Sequence, residues 1–225
     1  MATGRDERNR GIESLPQKGV PFLLGVTGGV ATGKTVVAEM FEGLGARTID
    51  FDVLSRLVVE PGKHAWKEIV DHFGEDVLLE DKTLDRRKLA EIVFQDEEKR
   101  KKLESLIHPK VGEEFLRRVA EYASEDPNAI VQAVVPLLFE VNMQSPFDKV
   151  LLVYAPEETQ INRLMKRDGI SRDMAVIVLS SQWPIEKKRD HADFIVDNSA
   201  SLDHTRQQVG EIWEKLRGLQ QERIS

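Results

Sequence analysis

The chain has 225 residues, 40% of them apolar and 32% charged, the composition of an ordinary globular protein. That length can bury one good core and leaves room for an inserted subdomain. Lys+Arg 32 against Asp+Glu 39 gives a net charge of −7, which argues against a nucleic-acid partner. With Cys 0 there is no disulfide, no thiolate catalysis and no cysteine-ligated metal, and a cytoplasmic location is expected. No apolar run approaches the roughly 20 residues of a membrane helix, so no membrane partner is expected. Residues 1–20 are polar and mixed in charge, without the apolar centre of a secretory signal, and read as a loose N-terminal extension.

The first ordered stretch is the apolar run Pro21-Phe22-Leu23-Leu24-Gly25-Val26, a short buried strand. It leads into Thr27 and then Gly28-Gly29-Val30-Ala31-Thr32-Gly33-Lys34-Thr35, which satisfies the phosphate-binding pattern G-x-x-x-x-G-K-[ST]. Val36, Val37, Met40, Phe41 and Leu44 follow at helical spacing before Gly45 ends the helix. The chemistry accounts for the residue types. Glycine permits the dihedrals and close approach that turn successive N–H groups inward as an anion nest, beside the positive end of the helix dipole. Lys34 supplies a point charge for the terminal phosphates and the Thr35 hydroxyl a ligand for Mg²⁺. The expected set binding a nucleoside triphosphate is therefore Gly28, Gly29, Val30, Ala31, Thr32, Gly33, Lys34, Thr35 and Val36.

Residues 46–50 read as a second strand that ends in Asp50-Phe51-Asp52, with a helix after it. Ligands of open α/β sheets sit beyond the carboxyl ends of the strands, which makes this acidic pair a catalytic candidate. Extended backbone would point Asp50 and Asp52 to one side, whereas capping the next helix is the plain structural alternative for Asp52. After the turn Glu60-Pro61-Gly62, residues 63–124 are charge-rich and helical. Three amphipathic faces, led by Trp66, Leu89 and Leu106, recur there, and His108-Pro109 reads as the opening of a further helix. Asp71-His72-Phe73-Gly74 matches a D-x-x-G of GTPases but lies on a helical face, and no N-K-x-D follows.

Strands resume at residues 129–135, 149–154 and 194–196. Five strands separated by helices predict an α/β fold with a doubly wound, mainly parallel sheet. Residues 21–62 and 125–225 form the expected core, with 63–124 as a helical insertion. Between the last two strands stand Arg163, Lys166, Arg167, Arg172, Lys187, Lys188 and Arg189, an arginine-bearing lid over about 157–191. Residues 202–219 form a closing amphipathic helix, and the charged residues beyond it are expected to fray.

Taken together, the phosphate loop, Ile49-Asp50-Phe51-Asp52 with Arg56, Leu106-Ile107-His108-Pro109, Val135-Pro136-Leu137-Leu138-Phe139-Glu140, Gln160 to Asp168, Gln182 with Lys188, and Asp197-Asn198-Ser199 resemble dephospho-coenzyme A kinases, relatives of the nucleoside monophosphate kinases. Ala31 stands where that family's loop usually has Gly. The resemblance implies ATP-dependent phosphorylation of the ribose 3′-hydroxyl of dephospho-coenzyme A, with Mg²⁺. It implies Asp52 as the catalytic base, assisted by Lys34, and Arg163 on the transferred phosphate. It also implies Arg56 and His108 on the acceptor side, Asn198 at the adenine of ATP, and the insertion as the coenzyme A-binding domain. A monomer is expected, with an oligomer left open. The residues themselves leave two alternatives, a nucleoside or nucleotide kinase of the same fold and a non-catalytic ATP-binding regulatory module.

Overall fold

The computed structural model describes residues 20–224. The expected N-terminal extension therefore lies outside the described residues, Val20 apart. Five strands, β1 (Phe22–Gly28), β2 (Arg47–Asp50), β3 (Ile130–Val134), β4 (Lys149–Tyr154) and β5 (Phe194–Asp197), form one sheet. Its order is β2-β3-β1-β4-β5, with every pairing parallel. β1, β3 and most of β4 are buried, as strands covered on both faces must be, and their sequences are accordingly near-continuous apolar runs. β1 is central, and the chain leaves it first toward one edge and later toward the other. Its carboxyl end is therefore a switch point of the topology, where such sheets open a crevice.

One face of the sheet is covered by α1 (Lys34–Gly43) and α9 (Leu202–Ile224). Leu24 and Val26 of β1, Val37 and Phe41 of α1, and Ile212, Trp213 and Leu216 of α9 form the core there. Phe41 and Trp213 meet with ring centroids 6.4 Å apart. A smaller apolar cluster joins α6 (Glu157–Asp168) to α7 (Arg172–Ser180) through Ile161, Leu164 and Ala175. The short α8 (Ile185–Arg189) packs on β4. α9 runs past the expected frayed end because its last turn has partners. Arg223 reaches the Asp148 carboxylate at 2.6 Å, and the same Asp148 oxygen accepts the Leu23 N–H at 2.7 Å.

The chain divides into two compact units, one reaching Asp50 and resuming at Val119, the other spanning Phe51–Arg118. The second unit is helical, with α2 (Phe51–Leu57), α3 (His64–Phe73), α4 (Arg86–Gln95) and α5 (Glu97–Glu125), whose last turns fall in the first unit. Ala65, Ile69, Val77, Leu89 and Phe115 are buried, and the Phe51 and Phe115 rings lie 5.2 Å apart.

Two local expectations fail here. The backbone is not extended through Asp50-Phe51-Asp52, because burying Phe51 starts α2 at once and puts Asp52 in its first turn. Nor does His108-Pro109 open a helix, since Pro109 lies inside the 29-residue α5. Proline there removes one backbone hydrogen bond. The ring faces solvent, however, and buried Leu106 and Val111 hold the helix on either side of it.

Candidate active site

The carboxyl end of β1 delivers buried Gly28 and Gly29 into a loop that turns directly into α1. Gly33 has φ 90°, and the Asn198 amide occupies the place a Cβ would take, so only glycine fits there. At Gly29 the obstacle would be the Gln160 amide oxygen. The loop is knit from inside. Buried Thr32 donates its hydroxyl to the Gly29 carbonyl at 2.9 Å. The Lys34 ammonium donates to the carbonyls of Gly28 at 3.0 Å and Gly29 at 2.9 Å.

α1 begins on Gly33, which offers no side-chain cap, and its first turn carries no acidic residue. Helices ordinarily satisfy their first N–H groups with a capping oxygen. An external oxyanion would suit that place, and the helix dipole favours one. Thr35 and Val36 are exposed at this end, and Lys34 is half-buried.

Side chains from distant segments hold the loop from outside. Asn198, just beyond β5, donates its amide to the Thr32 carbonyl at 2.8 Å and accepts the buried Thr205 hydroxyl at 2.9 Å. Its side chain braces the loop, because the buried amide needs partners and the loop carbonyl supplies one. Arg163 of α6 donates to the Asn198 carbonyl at 2.7 Å and to the Thr32 carbonyl at 3.4 Å. Its guanidinium, with five donors in all, therefore lies against the phosphate loop. Gln182, between α7 and α8, accepts the Val30 N–H at 3.0 Å.

Several cations of the expected lid are engaged with acids. Arg172 grips Glu158 with two bonds of 2.7 Å, and this fork holds the Glu158 carboxyl below its usual range. Arg167 grips Asp168 at 2.7 and 2.9 Å in the same way. Lys188 is fully buried against Glu140, at 2.7 Å. Arg163 is the lid cation that lies on the loop.

The second unit carries the other candidates. Asp52 and Arg56 are exposed on α2, four residues apart and so on one side of that helix. His108 is exposed on α5. Among the described residues no cluster of three or more His, Asp or Glu could hold a metal by itself. Magnesium does not require one, since it commonly binds through one or two protein groups together with substrate phosphates, and the exposed Thr35 hydroxyl suits that mode.

The dephospho-CoA kinase family profile matches residues 22–204. The chain belongs to the dephospho-CoA kinase family. A dephospho-CoA kinase of Syntrophus aciditrophicus is 45% identical over 214 residues, 94% of this chain and 90% of the relative. One of Halalkalibacterium halodurans is 44% identical, covering 86% and 96% of the two chains. Among solved structures, the dephospho-CoA kinase of Campylobacter jejuni superposes with a TM-score of 0.66 at 30% identity, over 88% of this chain and 98% of that one. A Thermus thermophilus protein superposes with a TM-score of 0.73 at the same 30% identity and the same coverage. The chain is thus a P-loop kinase that uses ATP to phosphorylate a small molecule. Sequence reasoning missed the hold of Gln182 on the loop and the support that Thr205 gives Asn198. Nothing local to Gln182 signals a contact with a loop more than a hundred positions away.

Proposed function

We propose that the chain transfers the γ-phosphoryl group of ATP to the ribose 3′-hydroxyl of dephospho-coenzyme A, the step that completes coenzyme A. The observation that carries this reading is the uncapped, glycine-entered α1 behind a braced phosphate loop, in a chain whose family match spans 22–204.

In this reading the loop amides and Lys34 hold the triphosphate, and little covalent chemistry is left to the protein. Positioning and charge stabilisation dominate phosphoryl transfer. Lys34, fixed on the Gly28 and Gly29 carbonyls, faces charge that builds on the moving phosphoryl oxygens. Arg163 is the second cation for that charge, and its remaining donors match phosphate oxygens. Asp52 accepts the proton of the attacking hydroxyl, a transfer typically worth ~10²–10⁴-fold. Arg56 and His108 contact the acceptor, and the helical insertion is the surface that recognises coenzyme A. Thr35 would ligate Mg²⁺, which supplies charge neutralisation at the phosphates when bound.

No helix among the described residues is long and apolar enough to cross a membrane. The reading is of a cytoplasmic enzyme acting as a monomer, with an oligomer left open. The deciding experiment incubates the protein with ATP and dephospho-coenzyme A beside a panel of nucleosides and nucleoside monophosphates, with product masses measured. A mass gain of one phosphate on dephospho-coenzyme A alone is expected. Phosphorylation of a nucleoside instead, or nucleotide affinity without transfer, rejects it.

A further inference from the structure

One peptide plane of the phosphate loop, joining Gly29 to Val30, is held at both ends. Its carbonyl accepts the Thr32 hydroxyl at 2.9 Å and the Lys34 ammonium at 2.9 Å. Its N–H donates to the Gln182 side-chain oxygen at 3.0 Å, across 152 residues of sequence. Rotating this plane would carry the carbonyl away from Lys34, so whatever fixes the N–H also fixes the phosphate-facing charge. The next residue makes the restraint necessary. Ala31 has φ 59°, a left-handed conformation that a residue with a Cβ keeps only where its surroundings over-determine it.

Gln182 is itself firmly mounted. Its N–H bonds to the Leu179 carbonyl at 3.1 Å, and Pro184 restricts the backbone of the intervening Trp183. The Trp183 N–H donates to Glu140 at 3.0 Å, and the same carboxylate oxygen forms an ion pair with the fully buried Lys188 ammonium at 2.7 Å. The Lys187 ammonium stacks on the Trp183 ring, 3.6 Å from its centroid. A buried ion pair of this kind is often no more stabilising than an apolar pair of similar size. Its value here lies in where it puts the Trp183 backbone.

We propose that Gln182 is a positioning residue for ATP, orienting the Gly29–Val30 peptide and through it Lys34, with the buried Lys188–Glu140 pair holding Gln182 in place. This rests on ATP binding at the phosphate loop, the reading given above.

The test measures the affinity of the full-length protein for ATP by calorimetry, together with thermal stability, in a set of variants. Gln182→Ala is expected to weaken ATP about fivefold, the worth of one hydrogen bond, with the melting temperature nearly unchanged. Ala31→Gly removes the strain, so Gln182→Ala in that background is expected to cost less than about twofold. Glu140→Leu with Lys188→Met, which also removes the acceptor of the Trp183 N–H, is expected to weaken ATP to a similar degree and to add little to Gln182→Ala. If Gln182→Ala binds ATP within twofold of the parent, or costs as much in the Ala31→Gly background as in the parent, the positioning role is overturned, whether or not the paired variant folds. A parent protein that binds no ATP would instead overturn the functional reading.

Discussion

Asn198 and Thr32 lie 166 positions apart, yet the Asn198 amide donates to the Thr32 carbonyl at 2.8 Å. The contact joins the end of the last strand to the phosphate loop of the first, and it requires both an N–H donor and a carbonyl acceptor on one side chain. Asn198→Ala leaves the Thr32 carbonyl and the Thr205 hydroxyl each without this partner, a loss of about 1–3 kcal/mol. Asn198→Asp is worse, since it sets a carboxylate oxygen against the Thr32 carbonyl. Denaturant unfolding of both variants is expected to rank them parent, alanine, aspartate. An aspartate variant at least as stable as the alanine one would show that the amide donor is not what matters.

How much of this was legible beforehand depends on whether the signal is local. The phosphate loop was legible because eight consecutive residues carry the requirement for a nest and a following helix. β1, β3 and β4 were legible because strands buried on both faces must be apolar throughout. The course of Asp50-Phe51-Asp52 was not, because the need to bury Phe51 outweighed the run of the preceding strand. Pro109 misled for a related reason, since a local helix-breaking preference yielded to packing on both sides of it. The bracing of the loop by Asn198 and Gln182, and the hold of Arg223 on Asp148, are contacts between distant segments, and no pattern in either segment announces the other.

Asp52 is the proposed proton acceptor, and its exposed place in the first turn of α2 makes Asn a mild replacement there. Losing the charge near the helix start costs about 0.5 kcal/mol or less. Asp52→Asn is expected to keep its fold and its ATP affinity while turnover falls ~10²–10⁴-fold. Steady-state kinetics with dephospho-coenzyme A, next to calorimetric ATP binding, separates these quantities. Turnover within a few-fold of the parent would remove Asp52 from the role.

The proposed magnesium role rests on the exposed Thr35 hydroxyl at the start of α1. Thr35→Val keeps the branched shape and deletes the oxygen, so the fold is unaffected and the Mg²⁺ concentration for half-maximal rate rises roughly tenfold. Thr35→Ser restores the hydroxyl and is expected to restore the parent's dependence. Chelation with EDTA is expected to stop turnover in all three. An unchanged magnesium curve in the valine variant would assign the metal to other ligands.

Glu114, on α5, accepts Arg117 at 2.7 and 2.6 Å and Arg118 at 3.2 Å. These hydrogen bonds, Arg117's foremost, hold its carboxyl down from 4.5 to about 2. The unfolded chain therefore takes up this proton first as pH falls. The stabilisation is complete above 4.5 and is lost progressively toward about 2. Glu114 is 15% exposed, but its two arginine partners are 50% and 42% exposed, so solvent screening reduces the contribution to about 1 kcal/mol. Glu114→Gln is accordingly expected to be about 1 kcal/mol less stable than the parent at pH 7, with the gap narrowing as the pH is lowered below 4.5. Urea unfolding of both proteins at pH 7 and again near pH 3.5 measures it. A gap of the same size at both pH values would mean that the glutamine is felt through packing and not through the lost charge.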